Sequence, residues 1–149
     1  MLEAIGEWPG AIWLQQSATA YLFVNAAHIL GVAVLLGAIL PLDLRLLGLF
    51  RRFPIELLRP LLVRCAATGL GLALLTGAWL FSVKPDEYLA NAAFRWKLAL
   101  LALALANVGF QHWGTNGRLH LSPATRVRAG FSLCLWISVL VAGRWIGFA

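Results

Sequence analysis

The chain has 149 residues, of which 61% are hydrophobic and only 12% are charged, and its mean hydropathy is +0.82. Soluble domains carry about 25% charged residues, and a soluble chain this short cannot bury so much apolar surface. The composition therefore excludes a soluble globular protein and indicates that lipid is part of the solvent.

Four apolar runs reach the length of about 20 residues that a membrane-spanning helix needs. We predict these spans at Ser17–Leu40, Pro60–Val83, Asn91–Trp113 and Ala129–Phe148. The predicted fold is all-α, a single four-helix transmembrane bundle that covers residues 1–149. Trp8-Pro9-Gly10 and Trp13, ahead of the first span, are typical of an anchor at the membrane interface.

The net charge of +6 is placed on one side of this bundle. The loops after spans one and three, with their flanks, hold eight Arg against two acidic residues, whereas the other side holds four basic and four acidic residues. By the positive-inside rule the basic side is cytoplasmic, so we expect an inner-membrane protein with both termini outside the cytoplasm. The basic side meets anionic lipid headgroups, and the expected partner is the bilayer rather than nucleic acid.

Small residues and loop residues predict how the helices pack and end. Gly69, Ala73 and Gly77 form a small-residue stripe that lets another helix approach closely, as a shorter stripe of Ala33 and Gly37 does on span one. Such stripes suit a compact bundle and also a homodimer or a larger membrane complex. Further expected features are an amphipathic extension of span one over Asp43–Arg52, a helix start at Ser122-Pro123, and Cys65 and Cys134 as packing residues.

The most informative residue is His28, 11 residues beyond Ser17 in the first span. A titratable ring at this depth is a functional-site hypothesis, because hydrocarbon offers it no hydrogen-bond partner. Tyr21, Asn25 and His28 share one helix face, which we expect to point into the bundle, with Asn25 orienting the ring. Lys97, in the third span, is predicted to lie at a similar depth.

These residues predict a haem b site. His28 would be one axial ligand through its neutral imidazole and Lys97 the other through its neutral amine, because metal ligands must be deprotonated. Arg144, together with Arg95, would pair with the haem propionates. Two structural interpretations stay open: Lys97 and Arg144 are close enough to the interface to snorkel, and His28 can be a packing histidine that hydrogen-bonds another helix.

A second polar group lies toward the opposite end of the spans. Its position indicates ion pairs that fix helix ends and topology rather than a reaction site. His112 is about 22 Å from Lys97 along the helix axis and cannot share its site. This polar group comprises Asp43, Arg45, Asn107, Gln111, His112, Arg126 and Arg128. Among the aromatic residues, Trp136 lies deeper in its span than those at the membrane interface.

Several segments resemble small uncharacterised bacterial membrane proteins with four helices. The resemblance spans nearly the whole chain and implies the fold but no activity. It is carried by His28–Gly31, Gly37, Asp43–Gly48, Phe94–Leu98, Asn107, Ser132–Trp136 and Gly143–Ile146.

A more distant resemblance is to the copper-resistance protein D family and to the small bacterial membrane protoporphyrinogen oxidase. In that oxidase a histidine early in the first helix and a lysine in a later helix are tied to haem b, and His28 and Lys97 are similar in kind. This chain has Leu40-Pro41-Leu42-Asp43 where the oxidase has an aromatic-rich stretch ending in Pro-Arg. The resemblance therefore implies the haem site rather than the oxidase activity.

The function we expect is a haem-b-binding redox protein that passes electrons or oxidises a hydrophobic substrate near the periplasmic surface. The first alternative is a non-catalytic subunit or scaffold that packs against a larger complex through its glycine stripes. The second alternative is a transporter of a metal or small solute. The spans hold few polar groups, which argues against this alternative. Zinc, nucleotide-loop and methionine-rich copper motifs are absent from the sequence.

Overall fold

The computed structural model describes residues 2–113 and 122–148, and the side chains of residues 4–110 and 122–148. Within these ranges the chain forms helices and no strand. Four of the helices are long and apolar enough to cross a membrane, which confirms an all-α, multi-pass membrane protein. The helices are α1 (Leu2–Gly6), α2 (Pro9–Gln16), α3 (Ala18–Leu47), α4 (Ile55–Phe81), α5 (Pro85–Ala90), α6 (Ala92–Trp113) and α7 (Pro123–Trp145).

Two spans are longer than the sequence predicts, because each continues through a proline. α3 passes Pro41, and α4 begins at Ile55 and passes Pro60, so the expected helix start at Pro60 is wrong. A proline removes one backbone donor and crowds the carbonyl four residues earlier. For Pro41 that carbonyl belongs to Gly37. Membrane helices tolerate proline because neighbouring helices, side chains and local changes of helix geometry satisfy the freed backbone groups.

The ends of the helices are set by local capping. α3 stops at Gly48, whose φ is 108°, and the Leu49 N–H donates to the Leu44 carbonyl over 3.0 Å. This is a Schellman end, which requires the left-handed backbone that glycine allows, so the extension predicted to reach Arg52 ends earlier. α7 begins at Pro123, where the Ser122 hydroxyl accepts the Thr125 N–H over 3.2 Å. This confirms the predicted Ser-Pro start.

Chain contacts divide the protein into two compact units. Unit one consists of Met1–Ala38 and Val63–Ala90, and unit two of Ile39–Leu62 and Asn91–Ala149. In unit one the backbones of α3 and α4 touch. A Cβ atom added at Gly31 would lie 2.7 Å from the Ala73 nitrogen, and one added at Gly69 would lie 2.5 Å from the Leu35 nitrogen.

The close contact on α3 is therefore made by Gly31 and not by the predicted stripe of Ala33 and Gly37. Ala33 and Gly37 are both exposed, and nothing lies within 4 Å of a Cβ added at Gly37. On α4 the predicted stripe is confirmed at Gly69 and Ala73, both of which lie against Gly31.

The N-terminal helices of unit one pack on the end of α4. The Trp8 indole N–H donates to the Ser82 hydroxyl over 3.1 Å, and the Trp79 indole N–H donates to the Gly10 carbonyl over 3.0 Å. The rings of Trp8 and Trp13 each have their centroids 6.0 Å from that of Trp79. The predicted interfacial anchor is thus a tryptophan cluster fixed by hydrogen bonds to the chain.

In unit two the end of α3 packs against the first half of α7. Leu46, Ile55 and Ala129 form a buried apolar cluster, and Asp43 hydrogen-bonds with Ser132. Leu46 lies near Ala129, whereas the earlier residue Asp43 lies near the later residue Ser132. The two helices are therefore antiparallel. α6 and α7 pack on each other along their length, with Lys97 of α6 lying against Gly143 of α7.

The glycine contact in unit one gives a direct test of the packing. We expect Gly69→Ala to lower the free energy of unfolding by about 1–3 kcal/mol, because the new methyl group meets the α3 backbone, which cannot move aside cheaply. Gly71→Ala is the matched control, since a Cβ there meets nothing within 4 Å. Unfolding by denaturing detergent, followed by circular dichroism, measures both variants. Equal stability of the two would contradict the close approach.

Candidate functional site

His28 lies half-buried on the side of α3 that faces α4. Its Nδ1 atom is 2.9 Å from the Ala73 carbonyl oxygen and 3.2 Å from the Thr76 hydroxyl. A carbonyl oxygen only accepts, so Nδ1 carries the proton. The Thr76 hydroxyl donates its own proton to the Leu72 carbonyl over 2.6 Å, which leaves its lone pairs to accept. The neutral ring then has its lone pair on Nε2.

Gly77 provides the room for this ring. A Cβ atom added at Gly77 would lie 3.0 Å from His28 Cε1 and 3.3 Å from Nδ1. The stripe of Gly69, Ala73 and Gly77 therefore does two things: it brings the backbones together and it leaves space for the imidazole. The sequence predicts the close approach of the helices but not the room for the imidazole. Gly77 lies one helical turn after Ala73, and this spacing is a signal that could have indicated its role beside the ring.

The two residues predicted to share the face of His28 have other surroundings. Asn25 is exposed, and the ring is oriented by Ala73 and Thr76 rather than by Asn25. Tyr21 is half-buried, packs against the apolar cluster that includes Leu14 and Leu80, and hydrogen-bonds with Tyr88. The hydrogen-bond partners of the His28 ring are thus supplied by α4.

Lys97 lies on the inward face of α6 in unit two. A Cβ atom added at Gly143 would lie 3.4 Å from Lys97 Cε and 3.5 Å from Nζ. The side chain lies against α7 two residues before that helix ends at Trp145. Residues spaced three or four apart form this face of α6, and all of them are buried or half-buried: Ala93, Lys97, Leu100, Ala104 and Asn107.

The remaining predicted cofactor residues are at the surface or outside the described part. Arg144 is exposed, with its guanidinium 4.7 Å from the centroid of the Phe148 ring, and Arg95 is exposed as well. The side chains of Gln111 and His112 lie outside the described residues. Within residues 4–110 and 122–148, no three His, Cys, Asp or Glu side chains converge as they would around a metal ion.

Unit two also contains a buried polar layer that the sequence reveals only in part. We give this name to Asp43, Asn107, Ser132 and Trp136, which are 2%, 9%, 2% and 2% exposed. The predicted ion pair of Asp43 with an arginine is replaced by its hydrogen bond with Ser132, since the Arg45 Nε–H donates to the Phe53 carbonyl over 2.9 Å. Sequence reasoning missed Ser132, although its spacing of four residues from Trp136 places both on one face.

Comparison with known proteins assigns a family. The chain belongs to a family of unknown function (DUF6644), whose profile matches residues 6–149. No curated protein and no solved structure matches the chain. The resemblance to an uncharacterised family is therefore confirmed, whereas the distant resemblances to the copper-resistance protein D family and to the protoporphyrinogen oxidase gain no support from these comparisons.

Tyr88, in the short helix α5 outside the spans, gives a test of the contact that Tyr21 makes. Burial, followed by the hydrogen bond with Tyr21, raises the pKa of Tyr88 to about 12. Because the folded protein holds this proton more tightly than the unfolded chain does, the stability that Tyr88 contributes is full below pH 10 and is lost as pH rises toward 12.

The chain has only two tyrosines, so Tyr21→Phe leaves Tyr88 as the sole tyrosinate signal. We expect ultraviolet absorbance to titrate Tyr88 in this variant at a pKa that is lower than in the parent but still above 10, since burial remains. Phe81→Leu, which removes the aromatic neighbour of Tyr88 and keeps the hydroxyl pair, is the control. An unchanged pKa in Tyr21→Phe would contradict the contact.

Proposed function

We propose that the protein is a haem-b-binding redox protein of the bacterial inner membrane, in which His28 would bind the haem iron. The observation that carries this proposal is the hydrogen bond from His28 Nδ1–H to the Ala73 carbonyl. Histidines that ligate a metal commonly donate their other ring N–H to a carbonyl, which fixes the tautomer and raises the basicity of the ligating nitrogen. His28 has this arrangement inside a membrane span.

The chemistry of the surrounding residues fits such a group. A bound haem b would supply one-electron redox chemistry. The Ala73 carbonyl would hold the His28 ring, and the Thr76 hydroxyl would accept a second, weaker hydrogen bond from it. The apolar sides of α3 and α4 would exclude water. Gly77 keeps the face of the imidazole uncrowded. A packing histidine would make the same hydrogen bonds to α4, and the haem spectrum described below distinguishes the two roles.

Other parts of the proposal rest on sequence. We propose Lys97, which lies against Gly143 of α7, as a second residue that would bind the haem iron, and Arg144 as a partner of the propionates near the interface. Tyr21 and Asn25 are proposed as residues near the cofactor. The excess of arginine in the loops after spans one and three supports an orientation with both termini outside the cytoplasm, which puts electron transfer near the periplasmic surface.

One finding narrows the scaffold alternative. A partner complex was expected to pack on the glycine stripes, but Gly69 and Ala73 are already covered by Gly31 of α3. A scaffold would therefore have to pack on the other predicted stripe, Ala33 and Gly37, which is exposed. A colourless protein that co-purifies with a stable partner would support it, and a colourless protein whose loss alters metal or solute sensitivity would support a transporter.

The decisive variant is His28→Ala. We expect the purified parent protein to show a haem Soret band that shifts on reduction, and His28→Ala to lose it, because the ring nitrogen is the proposed ligand. His112→Ala is the matched control, which removes an imidazole side chain from another span and should keep the band. Circular dichroism confirms that each variant is folded. A folded His28→Ala protein with its full haem content would overturn the assignment.

Lys97→Leu tests the second ligand separately. We expect it to retain haem through His28 but to shift the Soret band and the spin state, because one of the two residues that would bind the iron is lost. Lys84→Leu, which removes the other lysine of the chain, an exposed side chain outside the spans, is the control and should leave the spectrum unchanged. A spectrum of Lys97→Leu identical to that of the parent would reject lysine ligation while leaving His28 in place.

A further inference from the structure

The buried polar layer of unit two contains three polar atoms without a protein partner. Asp43 Oδ2, Asn107 Nδ2 and Trp136 Nε1 are each inaccessible to solvent, and none has a hydrogen-bond partner among the described residues. A buried polar group left unsatisfied destabilises the folded protein, and hydrocarbon cannot relieve that cost. Three such groups in one unit call for a common explanation.

The helix register places these groups at one level. Asp43 is tied to Ser132 by a hydrogen bond, and Ser132 and Trp136 are one helical turn apart on the buried face of α7. Lys97 of α6 lies against Gly143 of α7, and these two helices are antiparallel. Asn107 comes ten residues after Lys97, and Leu133 comes ten residues before Gly143, so Asn107 lies opposite Leu133. With a rise of about 1.5 Å per residue, Asn107 is within about one turn of both Ser132 and Trp136.

The three atoms specify the chemistry of what binds there. The Asn107 amide and the Trp136 indole each offer an N–H donor, and Asp43 Oδ2 offers an acceptor lone pair when ionised. A metal ion does not fit, because it would face two donor hydrogens. A single hydroxyl oxygen fits, since it can accept two hydrogen bonds and donate one. A buried water typically makes about three such bonds.

We infer that the buried polar layer is a binding site for one hydroxyl group, which accepts from Asn107 and Trp136 and donates to Asp43. The hydroxyl can belong to water or to a membrane-soluble alcohol. Asp43 is one helical turn from the end of α3 at Leu47, so the path from the aqueous side is short. The site lies wholly in unit two and is independent of the proposed haem ligand His28.

The test is nuclear magnetic resonance of the full-length protein in detergent micelles with ¹⁵N-labelled tryptophan. The chain has seven tryptophans, and Trp136→Phe identifies the signal of Trp136 by its loss. We expect the Trp136 indole proton, although the residue is only 2% exposed, to show a nuclear Overhauser effect to a long-lived water. A second sample with dodecanol tests the other source, for which the effect appears at protons of the alcohol instead.

Variants locate the site. Asp43→Leu and Asn107→Leu should each abolish the effect at Trp136, because each removes one of the three bonds. Ser138→Ala is the matched control on α7: Ser138 is exposed and its hydroxyl donates to the Cys134 carbonyl over 2.8 Å, so the effect should persist. The unchanged signals of the other tryptophans report that each variant is folded. A Trp136 indole proton with an effect to neither water nor alcohol would overturn the inference.

Discussion

The contact between the backbones of α3 and α4 at Gly31 and Gly69 is the constraint on which the candidate site depends. Only because both positions lack a Cβ atom do the helices come close enough for His28 to reach the Ala73 carbonyl at 2.9 Å. A carbonyl oxygen has a second lone pair beyond the one used within its helix, so the imidazole is satisfied without breaking α4. Helix packing and ring chemistry are therefore set by the same small residues.

A common pattern links the two residues proposed as ligands. His28 lies against Gly77 in unit one, and Lys97 lies against Gly143 in unit two. In a membrane a polar side chain that faces lipid finds no hydrogen-bond partner, and a glycine on the neighbouring helix allows it to lie inside the protein. These glycines accommodate polar groups, which is a different use from the helix pairing that small-residue stripes usually indicate.

The sequence predicts the class of fold well because each span is long and apolar, and it predicts the start of α7 because a Ser-Pro pair has one favoured use. It fails where the deciding factor is three-dimensional. Pro60 suggests a helix start but lies inside α4, and Asn25 shares a helix face with His28 by periodicity but is exposed. The sequence places Asp43 and Asn107 in one polar group and marks Trp136 as deep, but Ser132 is not distinctive until packing shows that it is buried in the same unit.

The tautomer of His28 tests the central claim most directly. The chain has three histidines, and ¹⁵N-histidine spectra of the haem-free protein, with His28→Asn to identify the signals of His28, distinguish a protonated Nδ1 from a protonated Nε2. The account predicts that His28 is neutral with its proton on Nδ1, held by the Ala73 carbonyl. A proton on Nε2 would contradict it, because the nitrogen proposed to ligate iron would then have no lone pair to give.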